Sequence, residues 1–298
     1  MTISVRQLSG ALGAEVRGID LSDSHFDSTA VHDLFAEHHA LFFPDQDLTP
    51  GDFVRVMRTF GEPLIHPYLK SLPDYPQVHE LRKTPDDQVN FGNLWHTDFT
   101  NLPRPSLANA LYSILVPTHG GDTLIANTCA AFENLSEGMK DMLRGLNAVH
   151  GFSEKYKQDL ADQTERSSGV ARNDDDSSEY LDAELEVVHP VVRSHPPSGR
   201  ESLYVNGGFT LRFENMTPEE SQPLLNFLYR HCERPEFGMR YSWAPKTLGM
   251  WDNRSTLHYA SNDYPGQLRV MQRLVVLESD RPEPAHPQCA LPAENNLV

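Results

Sequence analysis

Apolar positions along the chain follow two periods. Val31, Leu34 and Phe35 recur at helical spacing, and the run at 40–43 behind them is apolar throughout, as in a strand buried on both faces. Thr49-Pro50-Gly51-Asp52 offers a capping hydroxyl, a proline at the first helical position and an acid at the third, ahead of Phe53, Met57 and Phe60. This predicts a second helix, with Gly61 as its stop. Met139, Met142, Leu143 and Leu146 mark a third amphipathic helix. A fourth opens at Thr217-Pro218-Glu219-Glu220 and runs through Leu224, Leu225 and Leu228. His32, His38 and His39 fall on the polar side of the first helix and read as surface residues.

Between the helices, the runs 107–116, 124–126, 187–193, 203–206, 248–252 and 269–277 are rich in β-branched and aromatic residues, with Gly and Pro punctuating them at 117–121 and 196–199. Strands dominate the middle and end, and the helices are not spaced for regular βαβ units. The predicted fold class is α+β, mainly β: a sandwich or barrel with outer helices, one domain over residues 1–298. The segment 155–186 stands apart, because Asp174, Asp175, Asp176, Glu179, Asp182, Glu184 and Glu186 crowd its second half. So polar a stretch cannot bury enough apolar surface to order itself. It reads as a long acidic insertion and a mobile lid.

Composition narrows the function. With 298 residues, 39% of them hydrophobic, the chain can build an ordinary globular core. A formal net charge of −17 excludes nucleic acid and anionic membrane surfaces as partners, since both need a cationic face. No apolar run is long enough to span a bilayer, and the first residues lack a signal-peptide core, so a cytoplasmic location is expected. Cys129, Cys232 and Cys289 form no CxxC pattern, which leaves histidines and carboxylates to hold any metal.

Three local features carry chemistry. In Trp95-His96-Thr97-Asp98 a strand-like backbone would turn His96 and Asp98 to one face, although such a pair alone is as consistent with a hydrogen-bonded surface histidine. Far downstream, Trp251-Asp252-Asn253-Arg254 leads to His258. Two His and one Asp make the facial triad of non-heme Fe(II), which leaves positions open for a co-substrate and O2. Arg269 and Arg273 then share one face of an apolar run. Two buried guanidinium groups need anions, either carboxylates of this chain or those of ligands.

Together Trp95-His96-Thr97-Asp98, Gly120-Gly121-Asp122-Thr123 and the run from Trp251 through His258 to Arg269 and Arg273 resemble the taurine dioxygenase family of Fe(II)- and 2-oxoglutarate-dependent dioxygenases. Further likeness at Gly13-Ala14-Glu15-Val16, Phe60-Gly61-Glu62 and His189-Pro190-Val191-Val192-Arg193 extends over nearly the whole chain. The resemblance implies a double-stranded β-helix (jelly roll) core. It implies Fe(II) on His96, Asp98 and His258, with O2 as the oxidant and 2-oxoglutarate held by Thr123 and Arg269. For the substrate it implies an anion on His66 and Arg273, beside a wall of Phe99, Tyr156, Tyr204 and Phe209. Nothing catalytic beyond the iron site is implied, and members of the family are commonly homo-oligomers. The expected substrate is a small sulfonate such as taurine, cleaved to sulfite and an aldehyde. The alternatives are an alkyl sulfate, an aryloxyalkanoate or an amino acid, and more remotely a non-catalytic anion-binding protein. One departure stands out: Gly92 falls where the family's amine-binding Asn is expected.

Overall fold

A computed structural model describes residues 2–66, 69–154, 156–158 and 186–285. The lid expected at 155–186 lies outside these residues except for 156–158 and 186, and Cys289 lies outside them too.

The largest sheet has eight strands in the order Ser4–Gln7, Ala14–Arg17, Ala40–Phe43, Leu248–Asp252, Ser106–Leu115, Arg269–Leu277, Tyr75–Lys83 and Ser71–Leu72. Its neighbours are antiparallel apart from the pairing of Ala14–Arg17 with Ala40–Phe43. Alternation along these strands sets two faces. Leu41, Phe43, Met250, Ala110, Leu274 and Val276 pack on Val31, Phe35, Phe53 and Met57 of the helices Ser28–His38 and Pro50–Arg58. Phe42, Leu111, Trp251 and Met271 point the other way, where they meet Ile125, Met239 and Tyr241. Those three belong to a second sheet, ordered Gly238–Tyr241, Thr123–Asn127, Thr256–Ala260. Each such Phe or Leu contributes roughly 1.5–3 kcal/mol by leaving water.

The outer face of the second sheet presents Ala126 and Leu257 to Phe132, Leu143, Leu225 and Leu228 of the helices Thr128–Glu133, Glu137–Arg144 and Pro218–Cys232. Around them lie a sheet of Thr210–Phe213, Asn147–His150 and Val187–Pro190 and the hairpin Val192–Ser194 with Glu201–Leu203. The described part is thus mostly β-sheet with few helices, and the functional residues sit between the two facing sheets.

Capping boxes form at both predicted helix starts: Thr49 and Thr217 accept from the backbone N–H groups of Asp52 and Glu220, and those acids reach back. Other expectations need correction. The second helix ends at Arg58, and Gly61 instead lets the carbonyl of Leu277 approach to 2.9 Å of where a Cβ would stand. The run 187–193 divides at Val191 between two sheets. His39 is no surface residue: it ends its helix in the left-handed conformation, buried, with Nδ1 2.8 Å from Ser255 Oγ.

Candidate functional site

The inner face of the strand Arg269–Leu277 carries Arg269, Met271, Arg273 and Val275 by simple alternation. Facing it, His258 sits in the strand Thr256–Ala260, whose backbone pairs with His96 through two hydrogen bonds of 3.1 and 2.8 Å. That bridge is the only extended pairing His96 makes among the described residues, and Asp98 already lies in a turn, so the strand expected there is a single contact. Side chains fix the turn instead. Thr97 Oγ1 donates to Thr256 O at 2.7 Å, and Ser106 Oγ donates to Asp98 O at 2.9 Å.

These anchors bring His96, Asp98 and His258 together, all buried, with one potential ligand atom from each within 4.8 Å of the others. Nε2 of each histidine lies 3.5 Å from an Asp98 oxygen. His96 Nδ1 is 2.6 Å from Leu94 O and must donate to it, so Nε2 is the nitrogen that faces the cluster. Burial, then the neighbouring His96, hold His258 well below the usual imidazole range, so its ring is neutral. For Asp98, burial opposes the charge, but the Arg273 guanidinium outweighs it and keeps the carboxyl well below its usual range. Arg273 Nη2 is 2.7 Å from Asp98 Oδ1, and Asn109 Nδ2 donates to Oδ2 at 2.6 Å.

A pocket opens on this cluster, lined also by Thr123, Arg269, Arg273, Leu81, Phe91, Gly92 and Leu111. The two arginines are four positions apart, roughly 13 Å along a strand, so Arg269 marks an end away from the Asp98–Arg273 pair. Burial works against the charge on Arg269, and Tyr264 and Asp122 are its nearest compensation. Asp122, however, is already bound by Arg240 at 2.5 Å. Lys83 stands directly across from Arg269 in register, buried with Nζ 4.5 Å from the Tyr264 ring centre. Among the described residues neither cation forms an ion pair. Like charges facing each other this way are destabilising unless an anion joins them. Thr123 is set beside them by the turn before it. Gly120 there has φ +72°, and a Cβ on it would fall 2.6 and 2.7 Å from two oxygens of Asp263.

The remaining expected residues are spread more widely. His66 is buried with its ring 5.1 Å from Phe99 and 6.1 Å from Phe91, beside the pocket rather than on its wall. Tyr156 stacks on Phe152 and meets Phe209 at 4.7 Å, on a turn whose Gly208 abuts His96. Tyr204 is not part of the wall: its ring packs among His150, His189 and the Arg193 guanidinium. Sequence reading missed Asn109, Lys83 and His79. His79 lies across from Arg273 and accepts from the His66 backbone N–H at 2.9 Å; burial, then Arg273, push its pKa down to about 3. All three sit at inward positions of strands, and inward alternation of a polar residue was the available signal.

The family model described as "Taurine catabolism dioxygenase TauD, TfdA family" matches residues 4–275. The chain belongs to this family. It is 36% identical over 283 residues to an alkylsulfatase of Acinetobacter baylyi, covering 92% of this chain and 84% of the relative. An alpha-ketoglutarate-dependent sulfate ester dioxygenase of Pseudomonas putida is 32% identical over 286 residues, covering 93% and 90%. A crystal structure of a taurine dioxygenase from Burkholderia xenovorans superposes with a TM-score of 0.76 at 30% identity, covering 95% of this chain and 93% of that one. The chain is therefore a 2-oxoglutarate-dependent dioxygenase, of a family that uses Fe(II), 2-oxoglutarate and O2. Its buried donor set of two imidazoles and one carboxylate fits Fe(II) in kind and in spacing. Among the described residues no helix is long and apolar enough to cross a membrane.

Proposed function

We propose that the chain hydroxylates a small organosulfur anion at the carbon bearing the sulfo group, with an alkyl sulfate ester favoured over taurine. The observation that carries this reading is the Arg273 guanidinium, buried beside Asp98 with Nη1 lacking any partner. An anion satisfies it, whereas an ammonium group finds no host. Asp98 is the one carboxylate among the described residues lining the pocket, and both its oxygens are engaged. Gly92, at φ +83°, leaves open the place where an amine-binding side chain would stand, and Leu81, Phe91 and Leu111 offer an apolar wall to an alkyl chain. The alkylsulfatase and sulfate ester relatives support the same choice.

In this reading His96, Asp98 and His258 hold Fe(II), while Thr123 and Arg269 hold 2-oxoglutarate. When bound, Fe(II) with 2-oxoglutarate and O2 supplies the oxidant that turns a C–H bond into C–OH, giving succinate and CO2. Arg273, buttressed by His66 and His79, fixes the anionic end so that the neighbouring carbon lies near the metal. The hydroxylated carbon then expels sulfate as its hydroxyl becomes a carbonyl, leaving an aldehyde; a sulfonate would expel sulfite instead. Phe99, Tyr156 and Phe209 close the approach to the site. A single double-stranded β-helix domain over 1–298 accommodates all of this, with His96 and His258 joining strand and turn at its mouth.

The test is a panel of hexyl sulfate, 1-hexanesulfonate, taurine and an aryloxyacetate, followed by succinate and by sulfate or sulfite. Sulfate release matched to succinate is expected with hexyl sulfate. Full coupling with the aryloxyacetate alone would reject an organosulfur substrate, and full coupling with taurine would reverse the preference. Separately, Arg269→Ala is expected to weaken 2-oxoglutarate binding by roughly 30-fold or more, the usual cost of truncating one partner of a buried charged contact. Anaerobic titration measures this, and unchanged affinity would remove Arg269 from the co-substrate site.

A further inference from the structure

Asn109 belongs to none of the motifs above, yet its amide touches both charges at the centre of the site. It lies mid-strand in Ser106–Leu115, 2% exposed, between Trp251 and Val275 of the neighbouring strands. Asparagine is disfavoured in such a position, so its burial needs a polar reason. Its Nδ2 donates to Asp98 Oδ2 at 2.6 Å, and its Oδ1 accepts from Arg273 Nε at 3.3 Å. The amide can face only one way, because a carboxylate only accepts and a guanidinium only donates.

Arg273 is thereby used on one edge. Nε is taken by Asn109, one Nη2 hydrogen by Asp98, and Nη1 is buried with no partner. We propose that Asn109 is a positioning residue that dictates how Arg273 receives the substrate's anion. It closes the side-on fork of Nε and Nη2 and leaves the end-on pair, Nη1 with the second Nη2 hydrogen, to take two oxygens of the sulfo group. The same amide holds Asp98 Oδ2 while Arg273 holds Oδ1, so the carboxylate is pinned between the two imidazoles. Substrate anion and metal-binding carboxylate are linked through one side chain. This rests on the reading that Arg273 receives the anion.

The experiment uses the full chain loaded with Mn(II) without oxygen, and measures binding of hexyl sulfate, 1-hexanesulfonate and 2-oxoglutarate by calorimetry. Asn109→Leu keeps the volume and removes both hydrogen bonds. The two organosulfur anions are expected to bind roughly tenfold or more weakly, as for loss of a hydrogen bond to a charged group. 2-Oxoglutarate, held at the Arg269 end, should change by less than about twofold on the same grounds. Asn109→Ser, which puts a hydroxyl in place of the amide, should fall between, and carries the same measurement if the leucine variant does not fold. Equal weakening of anions and 2-oxoglutarate would mark a merely structural residue and overturn the proposal, as would no change in either. Arg273→Met run in parallel separates the two ideas. If it abolishes anion binding while Asn109→Leu leaves it intact, only the role of Asn109 fails. If Arg273→Met leaves anion binding intact, or neither anion binds the unaltered protein, the reading of Arg273 fails with it.

Discussion

Asp98→Ala is expected to cut turnover roughly a thousandfold or more at saturating Fe(II) and 2-oxoglutarate, because a bound metal supplies several kcal/mol of transition-state stabilisation and each 1.36 kcal/mol is tenfold in rate. Asp98 also does a second job, which separates it from the histidines beside it. Arg273 is 2% exposed, and Asp98 is its one carboxylate partner among the described residues. Removing that partner leaves a buried cation uncompensated, at a cost of about 3–5 kcal/mol in the metal-free protein. His258→Ala should abolish metal binding with a smaller loss of stability, since His258 is neutral and its Nδ1 has no hydrogen-bond partner to lose. Mn(II) titration and urea denaturation of the metal-free forms check both halves. Wild-type Mn(II) affinity in Asp98→Ala would sink the metal assignment. Equal destabilisation by the two substitutions would mean that the Arg273 ion pair is not what Asp98 contributes.

The parts of this site that were legible in the sequence are those tied to local backbone. Thr49 and Thr217 announce their helices because a capping box is complete within four residues. The strands Leu248–Asp252 and Arg269–Leu277 were legible because nearly continuous apolar runs mark strands covered on both faces. Their alternation also placed Arg269 and Arg273 on one face before any tertiary contact was known. The strand Ser4–Gln7 was invisible for the opposite reason: all four residues are exposed, so burial leaves no period in them. Tyr75–Lys83 alternates weakly, and its inward Leu81, Lys83 and His79 draw their meaning from Arg269 and Arg273 on the next strand. Asn109 likewise looks like a misplaced polar residue until Asp98 and Arg273 are brought to it. Tyr204 enters the expected wall only through the family resemblance, whereas its ring packs against Arg193.

The largest effect on stability is expected from Asp252→Ala, at the end of the strand Leu248–Asp252, where the chain leaves the large sheet for the strand of His258. Asp252 is fully buried. Arg254 grips it through Nε at 2.8 Å and Nη2 at 2.6 Å, its backbone N–H adds a bond of 3.0 Å, and His195 Nε2 lies 3.0 Å from Oδ2. Alanine would strand a buried guanidinium and a buried imidazole, for about 3–5 kcal/mol. The sign of the pH dependence follows from the same contacts. Burial opposes the charged carboxylate, but Arg254 and then His195 more than offset it, so the folded pKa lies far below the usual carboxylate range. A depressed carboxyl pKa stabilises the fold above the unfolded value and loses that contribution as pH falls below about 4. The alanine variant has no such contribution to lose. The stability gap between wild type and Asp252→Ala should therefore be widest near neutral pH and shrink between about pH 4 and pH 2. Urea midpoints at pH 7 and pH 3 decide it, and a gap that is as wide at pH 3 as at pH 7 would mean that packing, not the ionised carboxylate, makes Asp252 matter.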